Sequence, residues 1–248
     1  MDKIAISDKG YKRKNNQDYH FMDPFNRYFI LADGMGGHKG GEIASYTAVS
    51  AAHELLKNFN AEGIHQLEDK LAEAFNAANQ AVYKKSLSTD SLSGMGTTMI
   101  VSYLYSDKLV IAHAGDSRAY LFSSGKLLRL TKDHSLVQEM VENGKLDSSQ
   151  AQKHPKRNII TKAVGTQDSI KPDISVKTLK VGILTDLIMC TDGLTDYVTD
   201  KEIENICREF GALDGSINEM LSLALKRGGF DNISIIAVRL NELSGSCS

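Results

Sequence analysis

Cysteine is scarce in this 248-residue chain: Cys190, Cys207 and Cys247 make an odd count at wide spacing. Such a pattern supplies neither a disulfide framework nor a zinc ribbon, and it suits a reducing compartment. Charge of one sign is also lacking. The 29 Lys and Arg are offset by 31 Asp and Glu, so there is no basic footprint for nucleic acid. No segment approaches the roughly 20 apolar residues of a membrane span, and Met1 to Ile6 has no apolar stretch behind a basic start. The expectation is a cytoplasmic protein without membrane insertion or a nucleic-acid partner. The seven histidines are scattered, with no HExxH or similar paired spacing, which disfavours zinc. No internal repeat points to a solenoid.

What is there is ordinary globular material, with 42% hydrophobic and 24% charged residues. The length allows one sizeable core. We expect a single domain over 1–240, with a short polar tail at 241–248. Ile64, Leu67, Leu71, Phe75, Ala78 and Val82 recur at steps of three and four, which predicts an amphipathic helix over 64–82. A second helix is expected from Glu42 to about Phe59, with an alanine-rich face suited to close packing on a sheet. Strand patterns then crowd together at 97–105, 109–113, 119–122 and 126–130, joined by turns short enough for antiparallel neighbours. A helix near 135–142 precedes a polar excursion over 143–171. Strands at 174–179 and 187–191 precede helices near 201–209 and 217–226, and a strand at 233–240 closes the chain. Grouped strands and paired helices, without regular βαβ alternation, predict an α+β fold.

Twice an apolar, strand-like run ends in Asp-Gly: Tyr28 to Ala32 meets Asp33-Gly34, and Leu187 to Thr191 meets Asp192-Gly193. A carboxylate near a core is costly unless paired, and a cation is its strongest partner. The following glycine is expected to turn the chain sharply and expose its own carbonyl as a ligand. Asp116 and Asp231 occupy similar strand-end or turn positions, and Asp18 follows Arg13-Lys14-Asn15-Asn16-Gln17. A cap or an Asx-turn explains any one of these residues but leaves the set unexplained. All-oxygen ligands suit Mg²⁺ or Mn²⁺. Two ions sharing Asp33 would lie roughly 3.5–4 Å apart and could activate a bridging water for in-line attack on phosphorus.

Read in order, Arg13 to Asp18, Asp33-Gly34-Met35-Gly36-Gly37-His38, Gly94 to Thr98, Gly115-Asp116-Ser117-Arg118, Asp133-His134-Ser135, Thr191-Asp192-Gly193 and Asp231-Asn232 form a specific combination. It resembles the type 2C protein phosphatases, the metal-dependent PPM family of Ser/Thr phosphatases, in compact bacterial form. The resemblance implies an αββα sandwich of two antiparallel sheets flanked by helix pairs, with two core Mn²⁺ or Mg²⁺ ions and a weaker third. It implies that Asp33 bridges the ions, that the Gly34 carbonyl completes one, and that Asp192 and Asp231 hold the other. Asp18 would belong to the metal set by orienting metal-bound water, Asp116 with Asp192 would form the third site, and Asn232 would support the ligands.

Arg13 is the expected phosphate anchor, since a guanidinium grips phosphate bidentately at every working pH. Eukaryotic relatives carry a histidine where this chain has Met35, which leaves His38 or a water as the proton donor. Gln17 stands where many relatives carry Glu. The excursion over 143–171 corresponds to the family's flap, where Lys156 and Arg157 could attract phosphopeptides. The implied activity is hydrolysis of phosphoserine and phosphothreonine by direct attack of water, by a monomer opposing a bacterial Hanks-type Ser/Thr kinase. A dedicated single-partner regulatory phosphatase is the alternative, though such relatives commonly lack the arginine. A non-catalytic binding module would have no need of Asp33, Asp192 and Asp231 together.

Overall fold

Tyr28, Ile30 and Ala32 face one side of their strand and Phe29 and Leu31 the other, and all five are fully buried. A strand buried on both faces reads as a continuous apolar run, which is why the first Asp-Gly follows one. The computed structural model describes residues 1–36, 40–147, 150–151, 154–180 and 182–240. In chain order its elements are β1 (Lys3–Asp8), β2 (Asp18–Met22), β3 (Tyr28–Met35), α1 (Gly40–Leu56), α2 (Ile64–Ser86), β4 (Gly96–Thr97), β5 (Met99–Tyr105) and β6 (Lys108–Ala114). They continue with β7 (Arg118–Ser123), β8 (Lys126–Arg129), α3 (Leu136–Glu142), β9 (Asp173–Thr178), β10 (Thr185–Cys190), α4 (Asp192–Thr195), α5 (Asp200–Phe210), α6 (Leu213–Lys226) and β11 (Ile233–Arg239).

Two antiparallel sheets pack face to face. One has the order β1-β11-β10-β7-β8 and the other β2-β3-β5-β6-β9, with β4 pairing β3 at its end. Three apolar layers hold the sandwich. Phe29, Leu31, Ile100 and Ile111 from one sheet meet Leu121, Leu187, Met189 and Ile236 from the other. Tyr28, Ile30 and Val101 take the opposite direction and meet Ala44, Ala48, Leu71 and Phe75 of α1 and α2. On the far side Ile188, Cys190 and Ile235 pack under Ile203, Ile217 and Met220 of α5 and α6. The expected αββα arrangement is thus the observed one.

Several local expectations shift. The strand expected over 97–105 is interrupted at Thr98, whose backbone and side chain both turn to Asp33 instead of continuing one ladder. β1, β2 and the single turn α4 were not anticipated from the sequence. Within 143–171, the second half is tied to the body: Val164 is fully buried and exchanges both backbone hydrogen bonds with Thr97 at 2.9 Å. The buried Asn79 Oδ1 also accepts the Gly165 amide at 2.7 Å. The polar excursion is therefore narrower than 143–171 and ends near Ile159. The tail at 241–248 lies outside the described residues.

Candidate metal centre

The site forms at one end of the sandwich, where strands from both sheets deliver carboxylates. Asp18 on β2 stands directly opposite Asp33 on β3 in the antiparallel register. Asp192 begins α4 just after β10, and Asp231 precedes β11, the neighbour of β10 in the other sheet. Asp116 sits in the turn between β6 and β7, which crosses from one sheet to the other. The structure thus brings together all five aspartates singled out in the sequence.

Hydroxyls fix the backbone beneath them. Thr98 Oγ1 accepts the Asp33 amide at 3.0 Å, while the Asp33 carbonyl accepts Thr98 N at 2.9 Å and Thr97 Oγ1 at 2.8 Å. Thr191 Oγ1 donates to Asp18 Oδ2 at 3.0 Å and accepts the Ser234 amide at 3.0 Å. In the sequence these threonines carry only membership of a motif, and Thr191 alone of them adjoins a singled-out aspartate. Arg118 Nη2 grips Asp133 Oδ2 at 2.7 Å and Nε reaches both Asp133 oxygens, with Arg129 on the same carboxylate. This pair anchors the strand that leaves the Asp116 turn.

The expected turn away from the strand occurs at Gly193, where the chain passes from β10 into α4, but not at Gly34. Gly34 continues β3 instead of turning away, and a Cβ on it would stand 2.0 Å from the Gly41 carbonyl oxygen at the start of α1. A Cβ on Gly193 would stand 2.0 Å from the Asn232 carbonyl oxygen. Both are required by the approach of another backbone, in each case one that borders the site. The Gly34 carbonyl oxygen itself would lie 2.6 Å from a Cβ on Gly41, so it faces the start of α1.

Asn232 organises the loop that carries Arg13. Its Oδ1 accepts the Gln17 amide at 2.8 Å, and its Nδ2 donates to the carbonyls of Lys9 at 2.9 Å and Asn15 at 3.0 Å. Arg13 Nη2 donates to Asp231 Oδ2 at 2.6 Å, and about half of its side chain remains exposed. His38 lies outside the described residues.

Electrostatics make the cluster strained as a set of bare carboxylates. Burial pushes Asp33 well above the usual range, and Asp18, Asp192, Asp116 and Asp231 add repulsion in that order. Asp192 is also driven well up by burial, then by Asp116 and Asp196. Burial raises Asp18 to about 6 against the help of Ser234 and Thr191, and raises Asp116 to about 7 with repulsion from Asp133. Oδ1 of Asp18 and Oδ1 of Asp116 are buried without a hydrogen-bond partner. Buried acceptors with no donor and mutually repelling carboxylates fit a divalent cation, which supplies the missing positive charge.

Among the described residues no three His, Cys, Asp or Glu side chains are grouped to hold one ion by themselves. Beside Asp116 and Asp192 opens a cavity of about 500 Å³ that Asp196, Arg157 and Tyr197 also line, with Arg157 paired to Asp196 at 3.5 Å.

Comparison with known proteins finds relatives along nearly the whole chain. A putative protein phosphatase 2C-type from Streptococcus pyogenes is 40% identical over 243 residues, covering 95% of this chain and 96% of that protein. The crystal structure of the Mycobacterium tuberculosis serine/threonine phosphatase PstP/Ppp superposes with a TM-score of 0.89 at 33% identity, covering 97% of this chain and 99% of that one. A structure of the PstP catalytic domain in complex with two manganese ions matches with a TM-score of 0.85 at 31% identity, covering 97% and 98% of the two chains. The family described as Protein phosphatase 2C matches residues 10–228, a span that runs from the Arg13 loop to the turn before Asp231. With its sandwich and nearly its whole length matched in this way, the chain belongs to the protein phosphatase 2C family.

Proposed function

We propose that this chain is a metal-dependent protein serine/threonine phosphatase that hydrolyses phosphoserine and phosphothreonine at the Asp33 cluster. The observation that carries the reading is the set of buried, mutually repelling carboxylates beside an arginine with outward donors. Asp33, Asp192 and Asp231 would hold two Mn²⁺ or Mg²⁺ ions, with Asp116 and Asp192 forming a weaker third position. When bound, such ions supply Lewis acidity toward phosphoryl oxygens and lower the pKa of water toward neutrality.

The chain's own groups supply alignment. Asp18 Oδ1, held in place through the Thr191 hydroxyl on its partner oxygen, is set to accept a hydrogen bond from the attacking water. The guanidinium of Arg13 uses one nitrogen on Asp231, and its remaining donors can hold phosphoryl oxygens in a fixed orientation. Holding phosphate and water in line replaces a bimolecular encounter with a positioned one. We further propose a cytoplasmic monomer whose substrates are phosphoproteins made by a bacterial Ser/Thr kinase.

Purified protein is expected to release phosphate from p-nitrophenyl phosphate and from a phosphothreonine peptide only with added Mn²⁺ or Mg²⁺. Asp192→Ala should lower kcat by about 10³-fold, the several kcal/mol a Lewis acid contributes. Arg13→Ala should chiefly raise KM. Full activity in excess EDTA would overturn the reading.

A further inference from the structure

Outside the carboxylate cluster, the turn carrying Arg13 has a feature that phosphate chemistry alone does not need. Tyr11 is 68% exposed and Phe230 50% exposed, on two turns zippered by the Tyr11 amide donating to the Gly229 carbonyl at 2.7 Å. The approach is close enough that a Cβ on Gly10, whose φ is +72°, would fall 2.2 Å from the Asp231 carbonyl oxygen. Tyr197, just beyond α4, stacks on Phe230 with centroids 5.9 Å apart. Lys12 Nζ lies 5.9 Å from the centroid of the Phe230 ring. Lys9, Lys12 and Lys14 enter no salt bridge among the described residues, although Arg13 between them is paired.

A single exposed aromatic or lysine needs no explanation. Here two exposed aromatics and three unpaired cations share the two turns that carry Arg13 and Asp231, and Asn232 clamps one of those turns at three points. Resting on the phosphatase reading above, we propose that the turns 9–14 and 228–231 form a recognition rim that selects phosphoproteins with acidic and large apolar residues flanking the phosphorylated serine or threonine. The charge decides the occupant. Three lysines, one of them Lys12 over the Phe230 ring, favour carboxylates and an aromatic or aliphatic side chain, and disfavour a basic segment. Reach fits as well, since residues one to three positions from the phosphoresidue in an extended segment lie about 3–11 Å away. The cross-turn hydrogen bonds and the Asn232 clamp hold the rim in shape before binding, which lowers the ordering cost of a contact. The cavity that Tyr197 also lines mixes Asp116, Asp192, Asp196 and Asp200 with Arg118, Arg129, Arg157 and Lys201, and each of those cations is salt-bridged, unlike the three lysines of the rim.

The test compares two phosphothreonine peptides of equal length, one flanked by Glu, Asp and Phe and the other by Lys, Arg and Ser, with p-nitrophenyl phosphate as a substrate without flanks. Wild type with Mn²⁺ is expected to favour the acidic, apolar peptide by about tenfold in kcat/KM. The double variant Tyr11→Ala/Lys12→Glu should lose that preference and keep wild-type turnover of p-nitrophenyl phosphate. Equal kcat/KM for the two peptides in wild type, or an undiminished preference in the variant, would overturn the rim. So would parallel loss of p-nitrophenyl phosphate turnover, which would mean that the turn only supports Arg13. A dimeric wild type beside a monomeric variant would assign the surface to a second copy of this chain. No turnover of any substrate by wild type with Mn²⁺ would instead strike the phosphatase reading itself.

Discussion

Thr98 shows how much of the centre depends on residues that never face a ligand. Its hydroxyl accepts the Asp33 amide at 3.0 Å and lies 2.8 Å from Ser117 Oγ, in the turn that carries Asp116. The same threonine abuts Gly115, whose φ of +108° suits glycine and where a Cβ would stand 2.5 Å from Thr98 Cγ2. One side chain therefore sets the height of Asp33 and the path of the Asp116 turn. Thr98→Val keeps the volume and removes the hydroxyl, so it should cost about 1–3 kcal/mol in a denaturation midpoint experiment and weaken Mn²⁺ binding, whereas Thr98→Ser, which gives up only a buried methyl, should cost about 1 kcal/mol and leave Mn²⁺ binding intact. Equal stability and metal affinity in the two variants would contradict this role. The aspartates themselves were legible in the sequence because each followed a strand-like run or a turn. Thr98 was visible only as a neighbour in a motif, since its partners lie 65 and 19 residues away.

At the scale of elements, legibility followed burial. α2 was readable from its three-and-four spacing because one stripe faces the sheet, and Leu67, Leu71, Phe75, Ala78 and Val82 are all buried. β1 and β2 are edge strands of their sheets, short and mostly half-buried, so their hydrophobic pattern is weak. α4 is a single turn of four residues, below any periodic signal. α5, by contrast, announces itself chemically: Thr199 and Glu202 close a capping box, and Gly211 ends the helix at φ 64°. Arg227 just after α6 donates to Glu202 Oε1 at 2.6 Å, joining the two helices.

That Arg227 bond, followed by the Thr199 amide, lowers the Glu202 carboxyl from 4.5 to about 2. Because the folded value is depressed, the stabilisation is fully present above the ordinary carboxylate pKa and is lost as pH falls toward 2. The thermal midpoint of wild type should therefore exceed that of Glu202→Gln most clearly above pH 4.5, with the gap closing as acid is added toward pH 2. A gap constant across that range would show that the ionised carboxylate contributes nothing.

The whole molecule explains why the centre sits where it does. Asp18 and Asp33 come from one sheet, Asp192 and Asp231 from the ends of adjacent strands in the other, and the layer of Phe29, Leu31, Met189 and Ile236 fixes the sheets face to face. The α+β class and the sandwich were legible from the grouping of strands and helices and from the family motifs. Which sheet each aspartate would come from was not, because strand order depends on pairing between segments up to about the full chain apart, as between β1 and β11. An ion shared by Asp33 and the opposite pair would tie one sheet to the other. Binding at 100 times its Kd would add about 2.7 kcal/mol of stability.

The most direct test is a calorimetric titration of Mn²⁺ into chelator-treated wild type and Asp33→Asn, with phosphate release from a phosphothreonine peptide measured on the same samples. The shared-carboxylate account predicts two ions and full turnover in wild type. In Asp33→Asn it predicts loss of tight binding and of turnover together, with the fold retained by circular dichroism. An Asp33→Asn protein that still binds two ions tightly and turns over phosphopeptide at the wild-type rate would contradict it.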